Sequence, residues 1–274
     1  MNAPPSMLSV PFIPSIQIAE LVCGYGTTPV IRGVSLDVPR GEFLGILGPN
    51  GSGKTTLLRA VTRLLPARSG RVAIHGDNVV SLTRREIAGR VACVMQDNTA
   101  LAAPDLPFTV RDIVTMGRTP YLARTGWETP ADHEAIDHAL QLAELAPLAD
   151  RRITELSGGE RQRAFIAMAL AQRCDIILLD EPTNHLDIAH QVAILDLFAA
   201  INRDSRNTTI GVFHDLNLAA EYCDRILLLK DGLIAALGKP EDVLTAETIH
   251  AIYGANVLVQ PHPTTGRPHV FLKR

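Results

Sequence analysis

Gly48-Pro49-Asn50-Gly51-Ser52-Gly53-Lys54-Thr55 fits the spacing G-x-x-x-x-G-K-[ST], in which a glycine-rich loop wraps phosphate groups. Glycines let the backbone come close, so successive N–H groups and the N-terminus of the next helix point at the phosphates. In that pattern Lys54 reaches the β- and γ-phosphates and the Thr55 hydroxyl ligates Mg²⁺. A flexible Gly/Ser loop would have a similar composition. Here, however, the loop follows a compact apolar run at 42–47 and opens a helical stretch read from Lys54 to about Leu65. A second stretch, Ile176-Ile177-Leu178-Leu179-Asp180-Glu181, is an apolar strand ending in two acids. At the C-terminal edge of a parallel sheet, where ligands bind, Asp180 can hold the Mg²⁺ hydration shell and Glu181 can act as general base on an attacking water. An apolar run ending in Asp-Glu is common by itself. The phosphate loop gives it chemical meaning.

The third stretch is Leu156-Ser157-Gly158-Gly159-Glu160-Arg161-Gln162, where Ser157 and Glu160 form a capping box that starts a helix running toward Gln172. Two glycines in a first turn cost about 1 kcal/mol each in helix propensity. They make sense if another molecule's phosphate must approach that backbone.

These segments need a frame to hold them. Short apolar runs broken by glycine at 16–39 read as strands, as do 71–75 and 90–95. From about 97 to 155 the pattern turns helical. It is periodic over 109–118, and Thr129-Pro130-Ala131-Asp132 opens a further helix with a cap, a proline and an acid. Strands and helices then alternate at 175–179, 188–201, 208–213 and 216–223, and Asp231-Gly232 marks a hairpin. This pattern predicts an α/β core interrupted by a helical insert at about 97–172. We expect one domain over 15–260, a flexible Pro-rich leader at 1–14 and a C-terminal extension at 261–274.

Composition removes several classes. The formal net charge of −3 gives no field for nucleic acid, and 4% aromatics leaves few rings on which bases could stack. Cysteines at 23, 93, 174 and 223 lack metal-ligand or redox spacing and read as small buried hydrophobes in a reducing cytosol. The charge-free runs at 1–19 and 248–266 suit neither a signal peptide nor a membrane span, so a soluble chain is expected.

Taken together, these motifs resemble the ATP-binding cassette family, whose signature is LSGGQ, over nearly the whole chain from Ile16. The resemblance implies a P-loop NTPase (RecA-like) core with an N-terminal antiparallel β subdomain and a helical signature subdomain. It also implies ATP and Mg²⁺ as ligands, with Thr56 joining the phosphate loop. Further roles carry over by position: Gln96 as the Q-loop residue sensing Mg²⁺ and the attacking water, and His214 as the switch histidine on the γ-phosphate. Tyr25 would stack on adenine, and Asp187 would be the D-loop residue at a dimer interface. Partners implied are a second copy arranged head to tail, a separate membrane permease and, indirectly, a substrate-binding protein, at the cytoplasmic face of the inner membrane. Asn184-His185 replaces the common Ser-Ala of the D-loop. With Asp187-Ile188-Ala189-His190-Gln191, Met116-Gly117-Arg118-Thr119-Pro120-Tyr121 and the terminal Pro263–Pro268 segment, it resembles importers of ferric siderophores, haem or vitamin B12. The rivals are cassettes for DNA repair or translation, or for another transporter class. Only 126 positions separate Lys54 from Asp180, without heptads or paired cysteines, which disfavours a coiled-coil or zinc insertion.

Overall fold

Apolar residues alternate along β1 (Ile16–Tyr25) and β2 (Thr28–Val38), and the antiparallel pairing sets Ile16, Ile18, Leu21 and Cys23 against Val38, Leu36, Val34 and Ile31. A register shift between Ile18 and Leu21 lets the inward face resume one residue late. The computed structural model describes residues 13–95, 107–122, 126–184 and 186–273. With β4 (Ser69–Ile74) and β5 (Asp77–Asn78), these strands form a four-stranded antiparallel sheet ordered β2-β1-β4-β5.

A second sheet has six strands in the order β10-β9-β3-β8-β7-β6. They are β3 (Phe43–Leu47), β6 (Val91–Val94), β7 (Ile176–Asp180), β8 (Thr208–Val212), β9 (Arg225–Lys230) and β10 (Leu233–Gly238). The ladders from β9 through β6 are parallel, and β10 returns antiparallel beside β9 across Asp231-Gly232. Every residue of β3, β7 and β8 is buried, as expected for strands covered on both faces. One face packs on α1 (Lys54–Val61) and the antiparallel sheet through Leu44, Ile46, Leu57, Ile210 and Leu227. The other buries Phe43, Leu179, Phe198, Phe213 and Leu228 beneath α6 (Ile188–Ser205) and α7 (Leu216–Tyr222). α2 (Arg84–Ala88) precedes β6.

A third cluster lies among helices. α3 (Val110–Met116), α4 (Pro130–Leu142) and α5 (Gly158–Ala171) meet through Val110, Ile113, Ile136, Leu140 and Phe165. Each opens on a capping box, Thr109/Asp112, Thr129/Asp132 and Ser157/Glu160. Gly117 lets α3 come close to α5, since a Cβ there would lie 2.1 Å from the Met168 carbonyl oxygen. Next to it Arg118 is buried, pairs with Asp132 at 2.8 Å, donates to the Ala171 carbonyl and lies 4.1 Å from the Tyr121 ring centre. Hydrogen bonds from Thr129, reinforced by Arg118, hold the Asp132 carboxyl down at about 2. Its stabilisation is complete above the ordinary carboxylate value near 4 and is lost as pH falls toward 2. Arg118→Ala should therefore cost about 3 kcal/mol of unfolding free energy by urea denaturation at neutral pH, because Asp132 loses its buried counter-charge. Asp132→Asn should lose less stability than the parent between about pH 4 and pH 2.

Two readings need correction. α1 stops at Val61 rather than Leu65, because Arg63 enters the left-handed region and the Thr62 hydroxyl turns back to the Leu58 and Arg59 carbonyls. The boundary drawn at 260 cuts through a hairpin. After α8 (Pro240–Val243) and α9 (Ala246–Tyr253), β11 (Val257–Pro261) pairs antiparallel with β12 (Pro268–Leu272). Arg267 donates to the Ala220 and Cys223 carbonyls at the end of α7, while Asn217 exchanges two hydrogen bonds with the Val270 backbone. The hairpin is thereby fastened to the core. Gln96, His185 and leader positions 1–12 lie outside the described residues. Cys23, Cys174 and Cys223 are buried thiols and Cys93 is half-buried. Among the described residues no helix is long and apolar enough to cross a membrane.

Candidate functional site

The phosphate-loop sequence leaves β3 at Gly48, whose φ of 150° and close approach to the Leu229 carbonyl (2.0 Å from a would-be Cβ) exclude any side chain. The loop closes at Gly53, which caps α1. Lys54 is only 6% exposed, and its ammonium donates to the Gly48 and Pro49 carbonyls at 2.8 and 3.1 Å. Burial pushes its pKa down, and the Glu181 and Asp180 carboxylates oppose that shift. Ser52 Oγ is buried and has no hydrogen-bond partner among the described residues. A buried cation bonded to carbonyls, an unpaired hydroxyl and a helix N-terminus fit an entering phosphate.

Asp180 ends β7 beside this loop, and its Oδ1 accepts from the Thr55 hydroxyl at 3.1 Å. Burial raises its carboxyl above the ordinary range. A hydroxyl and a buried carboxylate make a hard-oxygen pair that fits Mg²⁺ and that a cation would stabilise in its charged form. Glu181 follows with a φ of 56°, a left-handed backbone that a non-glycine residue adopts at a cost of about 1–3 kcal/mol. Its side chain is 10% exposed and is held from two sides, by the Asn184 amide and by His214 Nε2. β7 and β8 are parallel neighbours, with Asp180 opposite Val212, so the chain leaving β8 delivers His214 beside Glu181. This arrangement can place a base and a histidine at one point above the phosphate loop.

Over residues 31–184 the sequence matches the ABC transporter family. This chain belongs to that family. It is 40% identical over 252 residues to the ferric enterobactin transport ATP-binding protein FepC of Escherichia coli (strain K12), covering 92% of this chain and 91% of that one. It is 42% identical over 249 residues to the hemin import ATP-binding protein HmuV of Rhodococcus jostii (strain RHA1), covering 91% and 83%. A solved inward-facing metal-chelate type ABC transporter matches with a TM-score of 0.82 at 26% identity, covering 96% of this chain and 98% of that one. The protein is an ABC-type ATPase on a P-loop NTPase fold, and its ligand is ATP.

In this ABC ATPase the other described residues expected at the site lie on β1 and at the starts of α5 and α6. Tyr25 is 48% exposed at the end of β1, its hydroxyl accepting from Arg59 of α1 at 2.8 Å. Ser157 and Gly158 are exposed at the start of α5, and nothing lies within 4 Å of a would-be Cβ on Gly158. Ser157 donates both its N–H and its hydroxyl to Glu160, whose carboxyl these bonds hold below its ordinary value. Among the described residues none of the Ser157 hydrogen bonds reaches residues 48–56 of the same chain. Asp187 is exposed and caps α6. Sequence assigns Asn184 only to a D-loop departure, and its spacing of three residues is the one signal of its bond to Glu181.

Proposed function

We propose that this chain is the ATP-hydrolysing subunit of an importer for an iron chelate, a ferric siderophore or haem, with vitamin B12 as the near alternative. Similarity along almost the full length to ferric enterobactin and hemin import ATPases carries this reading. It works as a head-to-tail pair at the cytoplasmic face of the inner membrane, driving a separate permease fed by a substrate-binding protein.

The loop from Gly48 to Thr56, including Pro49, Asn50, Gly51, Ser52 and Gly53, cradles the phosphates of ATP through its backbone N–H groups. Lys54 leaves its two carbonyls for the β- and γ-phosphate oxygens. Thr55 and Asp180 hold Mg²⁺, with Gln96 completing that set by resemblance. When bound, the ion neutralises developing charge on the phosphates. Glu181 takes the proton of the attacking water. His214, paired with Glu181 in this structure, swings to the γ-phosphate and so links the base to nucleotide state. Tyr25 stacks on adenine. Ser157, Gly158, Gly159 and Asp187 serve the nucleotide of the partner subunit, which agrees with the exposure of Ser157, Gly158 and Asp187.

Deleting the gene should abolish accumulation of a ferric siderophore, haem or cobalamin and leave sugar and amino-acid uptake unchanged. Loss of sugar or amino-acid uptake alone would overturn the substrate class and leave the ATPase intact.

A further inference from the structure

His190 lies in the first turn of α6, three residues after Asp187, between two segments that the proposed mechanism presents to a second copy. Its Nδ1 is 2.7 Å from Asp187 Oδ1, and its backbone N–H donates to the same oxygen at 2.9 Å. The ring also faces the start of α5. A Cβ built on Gly159 would lie 3.5, 3.6 and 3.7 Å from His190 Cδ2, Nε2 and Cγ, which is ordinary van der Waals contact. One imidazole therefore bonds to Asp187 through one nitrogen and turns its other edge toward Gly159, with room for about one methyl group between them.

Neighbouring contacts do not duplicate this link. Gln162 of α5 donates to the Pro182 carbonyl, and Gln191 of α6 donates to the Thr183 and Leu186 carbonyls. Both fasten the backbone between Glu181 and Asp187, whereas His190 grips the Asp187 side chain itself. Beneath the ring the seam between α5 and α6 is loosely filled. A cavity of about 60 Å³ is lined by Arg163, Ile166, His190 and Ile194 among others, and Arg163 Nε is buried without a hydrogen-bond partner among the described residues. Backbone and ring hydrogen bonds from His190 hold the Asp187 carboxyl below its ordinary value, so Asp187 remains an anionic acceptor.

We propose that His190 is a positioning residue, fixing Asp187 against the signature segment so that both meet the partner subunit as one unit. This inference rests on the head-to-tail reading above. Its direct consequence is on dimer formation rather than on nucleotide binding by the single chain, because among the described residues the His190 hydrogen bonds go to Asp187 and not to the phosphate loop.

The test uses the full-length chain carrying Glu181→Gln, with MgATP-driven dimer formation followed by sedimentation velocity. Adding His190→Ala should weaken the dimer about tenfold, since the Asp187 side chain of each subunit, no longer held in the free chain, must then be ordered on association. His190→Asn places an amide N–H where Nδ1 was and should restore association to within about threefold of the parent. Asn is a poorer helix former than Ala. A purely structural role at the start of α6 would therefore give the opposite order. MgATP affinity measured on dilute monomer should be unchanged in both variants, which also shows that they fold. Parent-like association of His190→Ala, or equal loss in Ala and Asn variants, overturns the inference. Ser157→Arg is the control. If it weakens the dimer while His190→Ala does not, this inference alone falls. If Ser157→Arg associates like the parent, or the parent itself stays monomeric, the head-to-tail reading falls and takes the inference with it.

Discussion

Glu181→Gln should keep nucleotide binding and lower ATP turnover by about 10²–10⁴-fold, the usual worth of a positioned general base. The size of the effect follows from where the carboxylate is held. Its left-handed backbone and the grip of Asn184 and His214 aim one side chain at a single point beyond the end of β7. An amide of the same shape still accepts from Asn184 and preserves the local packing, but it cannot take a proton from water. On the proposed reading binding depends on Lys54, Ser52 and the loop backbone, none of which the substitution alters. The variant should therefore accumulate as an ATP-bound dimer, visible as a shift in size-exclusion chromatography that reverses when ATP is removed. Near-normal turnover would take Glu181 out of the mechanism and leave Asp180 and His214 to be tested in its place.

What could be read in the sequence divides along physical lines. The phosphate loop was legible because its chemistry is local, with eight adjacent residues specifying a turn, a cation and a helix start. The capping boxes at Thr129 and Ser157 were legible for the same reason, since each closes within three residues. His214 could be placed only through the order of motifs, because its neighbour Glu181 is 33 residues away and reaches it through the parallel pairing of β7 and β8. Sequence carries Arg118 only within the Met116–Tyr121 resemblance, and its burial with Asp132, fourteen residues on, shows only in the fold. The turn between β11 and β12 lacks an Asn-Gly or Asp-Gly pair, so no local signal marks the hairpin. Its anchor, Arg267 on the end of α7, is 44 residues from the Cys223 carbonyl. The strained backbone of Glu181 left no trace in sequence at all, since a position of this kind is ordinarily recognised by a glycine.

Mixed dimers give the second large effect, because they separate what each chain does for its own nucleotide from what it does for its partner's. Ser157 caps α5, and a phosphate arriving there gains free N–H donors and the favourable end of the helix dipole. Among the described residues Gly158 leaves the approach open, and the Ser157 hydrogen bonds go to Glu160 rather than to the phosphate loop of its own chain. Lys54, by contrast, is buried within that loop. With Ser157→Arg in one subunit and Lys54→Ala in the other, a head-to-tail pair has one composite site with both lesions and one with neither. With both changes in one subunit beside an unaltered partner, each site carries one lesion. Nucleotide binding measured per dimer should show one high-affinity site in the first arrangement and none in the second. Turnover falls in both arrangements if the two sites fire together, so equilibrium binding is the cleaner readout. The reverse pattern would mean that α5 serves the nucleotide of its own chain, and the exposed Ser157-Gly158 edge would then need a different occupant.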